Sequence, residues 1–286
     1  FYKEEKGSAQ VKSAILLASL NTPGQTIVKS KISRNHTELM FKNCLKIPLK
    51  LKKYKNYEII KVEGKKNYKG FNYKIPGDIS SAAFFIALTI LANKSKLKMK
   101  NVNYNKSRIG IIEILKKMRA KIKVANIKNY KGEKVADITV TSSKNLIGIN
   151  CPKSLNTKSI DEFLTIFLVC AKAKGISKFV GISELREKES DRLKIAASFL
   201  KSIGIKVDEK FDSLKIYGNP NLEIKKQVII KNFLKDHRVF MMSCVAALTL
   251  GGNFKIYDKK SINSSFPNFL DLLKKLGAKF DNMELN

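Results

Sequence analysis

The 286 residues are 44% hydrophobic, enough to bury a substantial core, and their number suggests two domains or one repeat assembly rather than a small module. No run of eighteen or more apolar residues is present, which argues against a membrane span, and Phe1 to Lys6 lead into a patterned helix without the small-residue cleavage site of a signal peptide. The formal net charge of +32 comes almost entirely from Lys scattered along the chain, the mark of a solvated surface rather than of a nucleic-acid stripe.

Taken in chain order, one pattern recurs four times. It first opens at Gly7-Ser8-Ala9-Gln10, predicting a helix over Val11 to Leu20, a strand over Gln25 to Lys29 and a second helix over His36 to Leu45. It reopens at Pro76-Gly77-Asp78, with a helix over Ser80 to Leu91, a strand over Lys96 to Val102 and a helix over Ser107 to Met118. The third copy opens at Ser159-Ile160-Asp161, with a strand over Lys178 to Gly181 and a second helix over Lys188 to Ile203. The last opens at Asp236-His237-Arg238, with a strand over Asn253 to Tyr257 and a helix over Pro267 to Leu276. Second helices close on related phrases, Leu115-Lys116-Lys117-Met118-Arg119-Ala120, Leu200-Lys201-Ser202-Ile203-Gly204-Ile205 and Leu273-Lys274-Lys275-Leu276-Gly277-Ala278. Gly204 and Gly277 suit the left-handed residue that ends a helix.

The first helix of each copy is apolar nearly all round, as in Phe163-Leu164-Thr165-Ile166-Phe167, and is expected to be buried, whereas the second carries a Lys-bearing face. Sheets and amphipathic helices then lie outside, the reverse of a parallel barrel. Ser8, Asp78, Asp161 and Asp236 stand where these helices begin, so each can cap a helix or help its positive end receive an anion. Four cysteines, Cys44, Cys151, Cys170 and Cys244, are too scattered for a zinc site and predict free buried thiols in a cytoplasmic protein.

Charge concentrates at Glu184-Leu185-Arg186-Glu187-Lys188-Glu189-Ser190-Asp191-Arg192, ahead of the apolar positions Leu193, Ile195, Ala196 and Phe199. A cation near a helix start gains nothing from the dipole, so Arg192, Arg34 and Arg238 point to an anionic ligand. Arg in a chain that otherwise uses Lys suggests the planar fork that grips carboxylate or phosphate. Both histidines, His36 and His237, lie in these loops rather than on apolar faces.

Six segments in order, Ser8-Ala9-Gln10-Val11-Lys12-Ser13-Ala14, Pro76-Gly77-Asp78-Ile79-Ser80-Ser81-Ala82-Ala83-Phe84, Asp161-Glu162, Lys188-Glu189-Ser190-Asp191-Arg192, Asp236-His237-Arg238 and Ser265-Phe266-Pro267, resemble the signature segments of EPSP synthases. The Ser-Ala-Gln form is similar to that of the bacterial class with lower glyphosate sensitivity. The resemblance implies an inside-out α/β barrel of repeated βαβαββ units, with residues 1–76 belonging to an incomplete first domain and residues 77–286 forming a three-unit second one. It implies transfer of a carboxyvinyl group from phosphoenolpyruvate to shikimate 3-phosphate by a monomeric enzyme that needs no metal or organic cofactor and has no nucleic-acid or membrane partner.

By the same resemblance, Ser8, Ala9, Gln10, Ser33 and Arg34 surround shikimate 3-phosphate, and Lys188 is a nearby substrate-binding ammonium. Asp161 takes the proton of the attacking hydroxyl, Glu189 exchanges a proton with the methylene carbon, and Arg192, Arg238 and His237 hold phosphoenolpyruvate. Ser264 stands where some members have a Lys that contacts phosphoenolpyruvate and others do not. The related transferase acting on UDP-N-acetylglucosamine shares the repeat but not the 188–192 and 236–238 segments. The family's N-terminal Lys and Arg have no counterpart here, so the chain is expected to be truncated and to turn over little by itself.

Overall fold

The computed structural model describes residues 1–64 and 67–281. The first copy of the repeat consists of β1 (Tyr2–Glu4), α1 (Ala9–Ser19), β2 (Gln25–Lys31), α2 (His36–Asn43), β3 (Leu49–Lys53) and β4 (Tyr57–Glu63). The second has α3 (Ile79–Leu91), β5 (Lys96–Asn103), α4 (Gly110–Lys117), β6 (Lys121–Tyr130) and β7 (Glu133–Thr141). The third has a short α5 (Asn156–Ser159), then α6 (Phe163–Ala171), β8 (Gly175–Val180), α7 (Arg192–Ser202), β9 (Val207–Lys210) and β10 (Ser213–Gly218). The fourth has β11 (Ile224–Ile230), α8 (His237–Thr249), β12 (Gly251–Ile256) and α9 (Phe269–Lys275).

In every copy the segment before the first helix pairs in parallel with the strand after it. β1 pairs with β2, Gly77 bridges Val102, Asn150 bridges Lys178, and β11 pairs with β12. Parallel neighbours require a crossover, and the apolar helix supplies it. The sheets have orders β1-β2-β4-β3, β5-β7-β6, β8-β10-β9 and β11-β12.

The chain divides into two compact units, one of Phe1–Ile79, Met99–Gly110 and Val124–Ile138, the other of Ser80–Lys98, Ile111–Lys123 and Thr139–Asn286. In the first unit Leu16, Leu20, Val28, Phe41, Ile47, Ile60 and Val62 form the core. In the second, all nine residues of α6 and the run Val239 to Ala246 of α8 are buried. Phe163 and Phe167 stack there and meet Phe179 edge to face, with ring centroids 5.0 to 5.7 Å apart.

Three local expectations are corrected. α1 buries only Lys12, Leu16 and Ser19, because it packs on β2 and β4 along one stripe, and Leu17 stays 54% exposed. Asp161 does not cap a helix: α5 precedes it and α6 starts at Phe163. The helix predicted from Lys188 begins at Arg192, because Ser183–Glu187 forms a 3-10 turn, Lys188 is extended and Asp191 caps α7 by accepting from Lys194 N at 2.9 Å. The closing phrase keeps its backbone without its glycine: Arg119, Gly204 and Gly277 have φ of 67°, 87° and 95°.

Candidate active site

The first unit organises the Ser8 and Ser33 loops around carboxylates. Glu4, nearly buried at the end of β1, accepts the backbone N–H groups of Lys6, Gly7 and Ser8 at 2.8 to 3.0 Å. Ser8 caps α1 by accepting from Val11 N at 3.3 Å, so Ala9 and Gln10 form its first turn. Lys12 is fully buried between Glu38 of α2 and Glu58 of β4, its Nζ 2.7 Å from each, and Ser13 shares a 2.7 Å hydrogen bond with Thr37. These bonds lock α1, which carries Ser8 to Gln10, to α2, which follows Ser33 and Arg34. Ser33 Oγ is buried and makes no hydrogen bond among the described residues.

The second unit centres on Asp236. Its buried carboxylate accepts from Arg192 Nε at 2.8 Å and Nη2 at 3.2 Å, from Ser190 Oγ at 2.8 Å and from Arg238 N at 3.0 Å. Burial alone would raise its pKa, but the Arg192 hydrogen bonds and charge, with Ser190 and the Arg238 amide, hold the carboxyl below the ordinary value. Arg192 also pairs with Glu189 at 2.5 Å and lies 3.9 Å from Asp161 Oδ1, while Arg238 Nη1 donates to the Asp161 carbonyl at 3.0 Å. Burial, then the Arg238 charge, lower the pKa of His237 and keep its imidazole neutral near pH 7.

Asp161, Glu189, Arg192 and Arg238 therefore converge in one unit, around Asp236 and Ser190. In sequence Asp236 reads as a helix start within a signature segment; its burial and its pairing with Arg192 come only from the fold. Ser190 lies inside a charged run, and its bond to Asp236 spans 46 residues. Lys188 turns instead to Glu184, at 2.6 Å, and Arg186 is held by Asp191 and Glu209, both at 2.9 Å. Of the three arginines that suggest an anionic ligand, Arg192 has carboxylate partners in the fold, so an anion it receives joins existing ion pairs, whereas the Arg238 side chain donates to a backbone carbonyl. Among the described residues no group of three or more His, Cys, Asp or Glu is arranged to hold a metal ion, and no helix is long and apolar enough to cross a membrane.

Repeated helix crossovers with acids and cations gathered at the starts of buried helices place the chain in the enolpyruvyl transferase fold class. The chain resembles the enolpyruvyl transferase NikO of Streptomyces tendae in fold alone, at 14% identity, with a TM-score of 0.72 over 97% of this chain and 64% of that one. EPSP synthase from Acinetobacter baumannii superposes with a TM-score of 0.83 at 34% identity, covering 96% of this chain and 62% of that one. Residues 1–273 match the family profile of EPSP synthase (3-phosphoshikimate 1-carboxyvinyltransferase). The 3-phosphoshikimate 1-carboxyvinyltransferase of Zymomonas mobilis is 39% identical over 284 residues, 98% of this chain and 62% of that protein. The protein of the same name from Thermodesulfovibrio yellowstonii is 40% identical over 277 residues, 96% and 62%. The chain belongs to the EPSP synthase family, and it spans a little under two thirds of the length of these relatives.

Proposed function

We propose that the chain is the greater part of an enzyme that transfers the carboxyvinyl group of phosphoenolpyruvate to the 5-hydroxyl of shikimate 3-phosphate, releasing phosphate, in aromatic amino acid biosynthesis. The observation that carries this reading is the convergence of Asp161, Glu189, Arg192 and Arg238 on buried Asp236. Addition across an enol double bond needs a base for the hydroxyl, an acid for the carbon, and cations for phosphate and carboxylate. Asp161 takes the hydroxyl proton, and Glu189 delivers one to the methylene carbon and withdraws it again as phosphate leaves. Arg192 and Arg238, with neutral His237 beside them, hold phosphoenolpyruvate.

In the first unit, Ser8, Gln10, Ser33 and Arg34 hold shikimate 3-phosphate, with Ala9 lining the loop; in the second, Lys188 is a substrate-binding ammonium. A buried hydroxyl without a partner costs about 1 to 3 kcal/mol, so a phosphate oxygen that accepts from Ser33 Oγ recovers that cost on binding. In this reading residues 77–286 form the three-unit domain, and the protein works as a cytoplasmic monomer without a cofactor.

Titration calorimetry with each substrate, alongside phosphate release, tests the proposal. Phosphoenolpyruvate should bind the wild-type chain and lose at least tenfold in affinity in Arg238→Ala, a charged hydrogen-bond partner being worth that much. Phosphate release that depends on UDP-N-acetylglucosamine instead of shikimate 3-phosphate would defeat it.

A further inference from the structure

The loop that carries Ser33 and Arg34 ends in a cap residue that does not cap. Asn35 is the N-cap of α2, and Asn is among the best residues for accepting the free amides of a first turn, worth about 1 kcal/mol. Its side chain makes no such bond; Asn35 Oδ1 accepts from Asn105 Nδ2 at 3.0 Å, across 70 residues of sequence. The next residue is fastened in the same direction, His36 Nδ1 bonding Glu133 Oε1 across 97 residues.

The two anchors are themselves fixed. Asn105 is 7% exposed and Glu133 6%. Asn105 Nδ2 also donates to Glu133 Oε2 at 3.0 Å, and Asn103 Nδ2 reaches the same oxygen at 3.3 Å. Asn105 Oδ1 accepts from the amide of Ser107 at 2.9 Å and from its hydroxyl at 2.8 Å, so the whole side-chain amide is engaged. Burial would raise the Glu133 pKa, but the His36 hydrogen bond and charge, then Asn105 and Asn103, lower it and keep both oxygens as acceptors.

Ser33 Oγ has no side-chain or backbone partner among the described residues to orient it, so its direction depends on the backbone of its own loop. From this we infer that Asn105 and Glu133 are positioning residues for the phosphate grip of Ser33 and Arg34: by drawing Asn35 away from helix capping and fastening His36 they fix the loop in its receptive shape. The inference rests on shikimate 3-phosphate being the ligand of this loop. Neither residue touches substrate in this account; both act through Asn35 and His36.

Two measurements on the 286-residue chain decide it. Without ligand, the backbone amides of residues 33–36 are followed by NMR in wild type, Asn105→Ala and Glu133→Gln. Both variants should shift these resonances and lower their order while amides of the second unit stay in place; unchanged loop amides overturn the inference whatever binds. With ligand, Asn105→Ala should weaken shikimate 3-phosphate about tenfold and leave phosphoenolpyruvate unaffected. Asn35→Ala should match it, and the double variant should be no weaker than either single one, since the pair acts as one unit. A loosened loop with wild-type affinity for shikimate 3-phosphate also overturns the inference. Failure of the wild-type chain to bind shikimate 3-phosphate counts against the proposed function, and the loop amides still decide the inference. If Asn105→Ala unfolds the first unit, Asn35→Ala removes the same bond from the half-buried side and is read alone.

Discussion

Asp236 does three jobs with two oxygens: it caps α8, fixes Ser190 and neutralises a fully buried guanidinium. Removing Asp236 takes the buried carboxylate from Arg192 and leaves it the more exposed Glu189, so Asp236→Asn should destabilise the second unit by about 3 kcal/mol at neutral pH, read by urea unfolding. The sign with pH follows from the depressed pKa. The carboxylate contributes fully above the ordinary value of 3.8 and loses its contribution as pH falls through the lower folded value, so the gap between wild type and variant should close in acid. Arg119 offers the opposite case, an exposed residue at φ 67° where the sister repeats have glycine. Arg119→Gly should raise stability by about 0.5 to 1 kcal/mol, visible as a higher Tm, and an unchanged or lower Tm would refute the strain argument. Cys170 and Cys244 are buried with thiols pushed up to about 12, and Cys151 is pushed up to about 11 by burial. Half-exposed Cys44 should therefore react first with a thiol reagent at pH 8, and Cys170 and Cys244 should react only on unfolding.

At the level of elements, α1 departs most from its sequence pattern. Its one-stripe packing on β2 and β4 leaves Leu17 outside and takes Lys12 in, where two carboxylates hold it. Lys12→Met should cost the first unit about 3 to 5 kcal/mol, since two carboxylates would lose their cation, and a triple variant that also neutralises Glu38 and Glu58 should recover part of it. The four helix-strand-helix copies were legible because apolar helices and their closing phrases are local patterns. The buried lysine was not, since Lys reads as surface and its partners lie in other elements. Asn105 and Glu133 were invisible for the same reason: their meaning lies in bonds spanning 70 and 97 residues. Arg192 was legible as an anomaly at a helix start, but its reason, Asp236, stands 44 residues away. The start of α7 was misplaced because the acids and bases of 184–192 satisfy one another in a 3-10 turn instead of extending the helix.

For the molecule as a whole, the charge of +32 gives a general affinity for polyanions but no concentrated face in sequence. Binding to single-stranded DNA should be weak, independent of sequence and lost by about 0.15 M salt; retention there would argue for a nucleic-acid role. The parallel pairing of the segments that bracket each buried helix has a broader meaning. Each copy of the repeat carries, along with strand and helix, the short segment that leads from one to the other. Ser8-Ala9-Gln10, Pro76-Gly77-Asp78, Ser159-Ile160-Asp161 and Asp236-His237-Arg238 are four fillings of one socket. The residues of these segments differ from copy to copy while the scaffold stays the same, so new reactions on this architecture should be sought at the four sockets, at positions other than the buried Asp236 and Ser159.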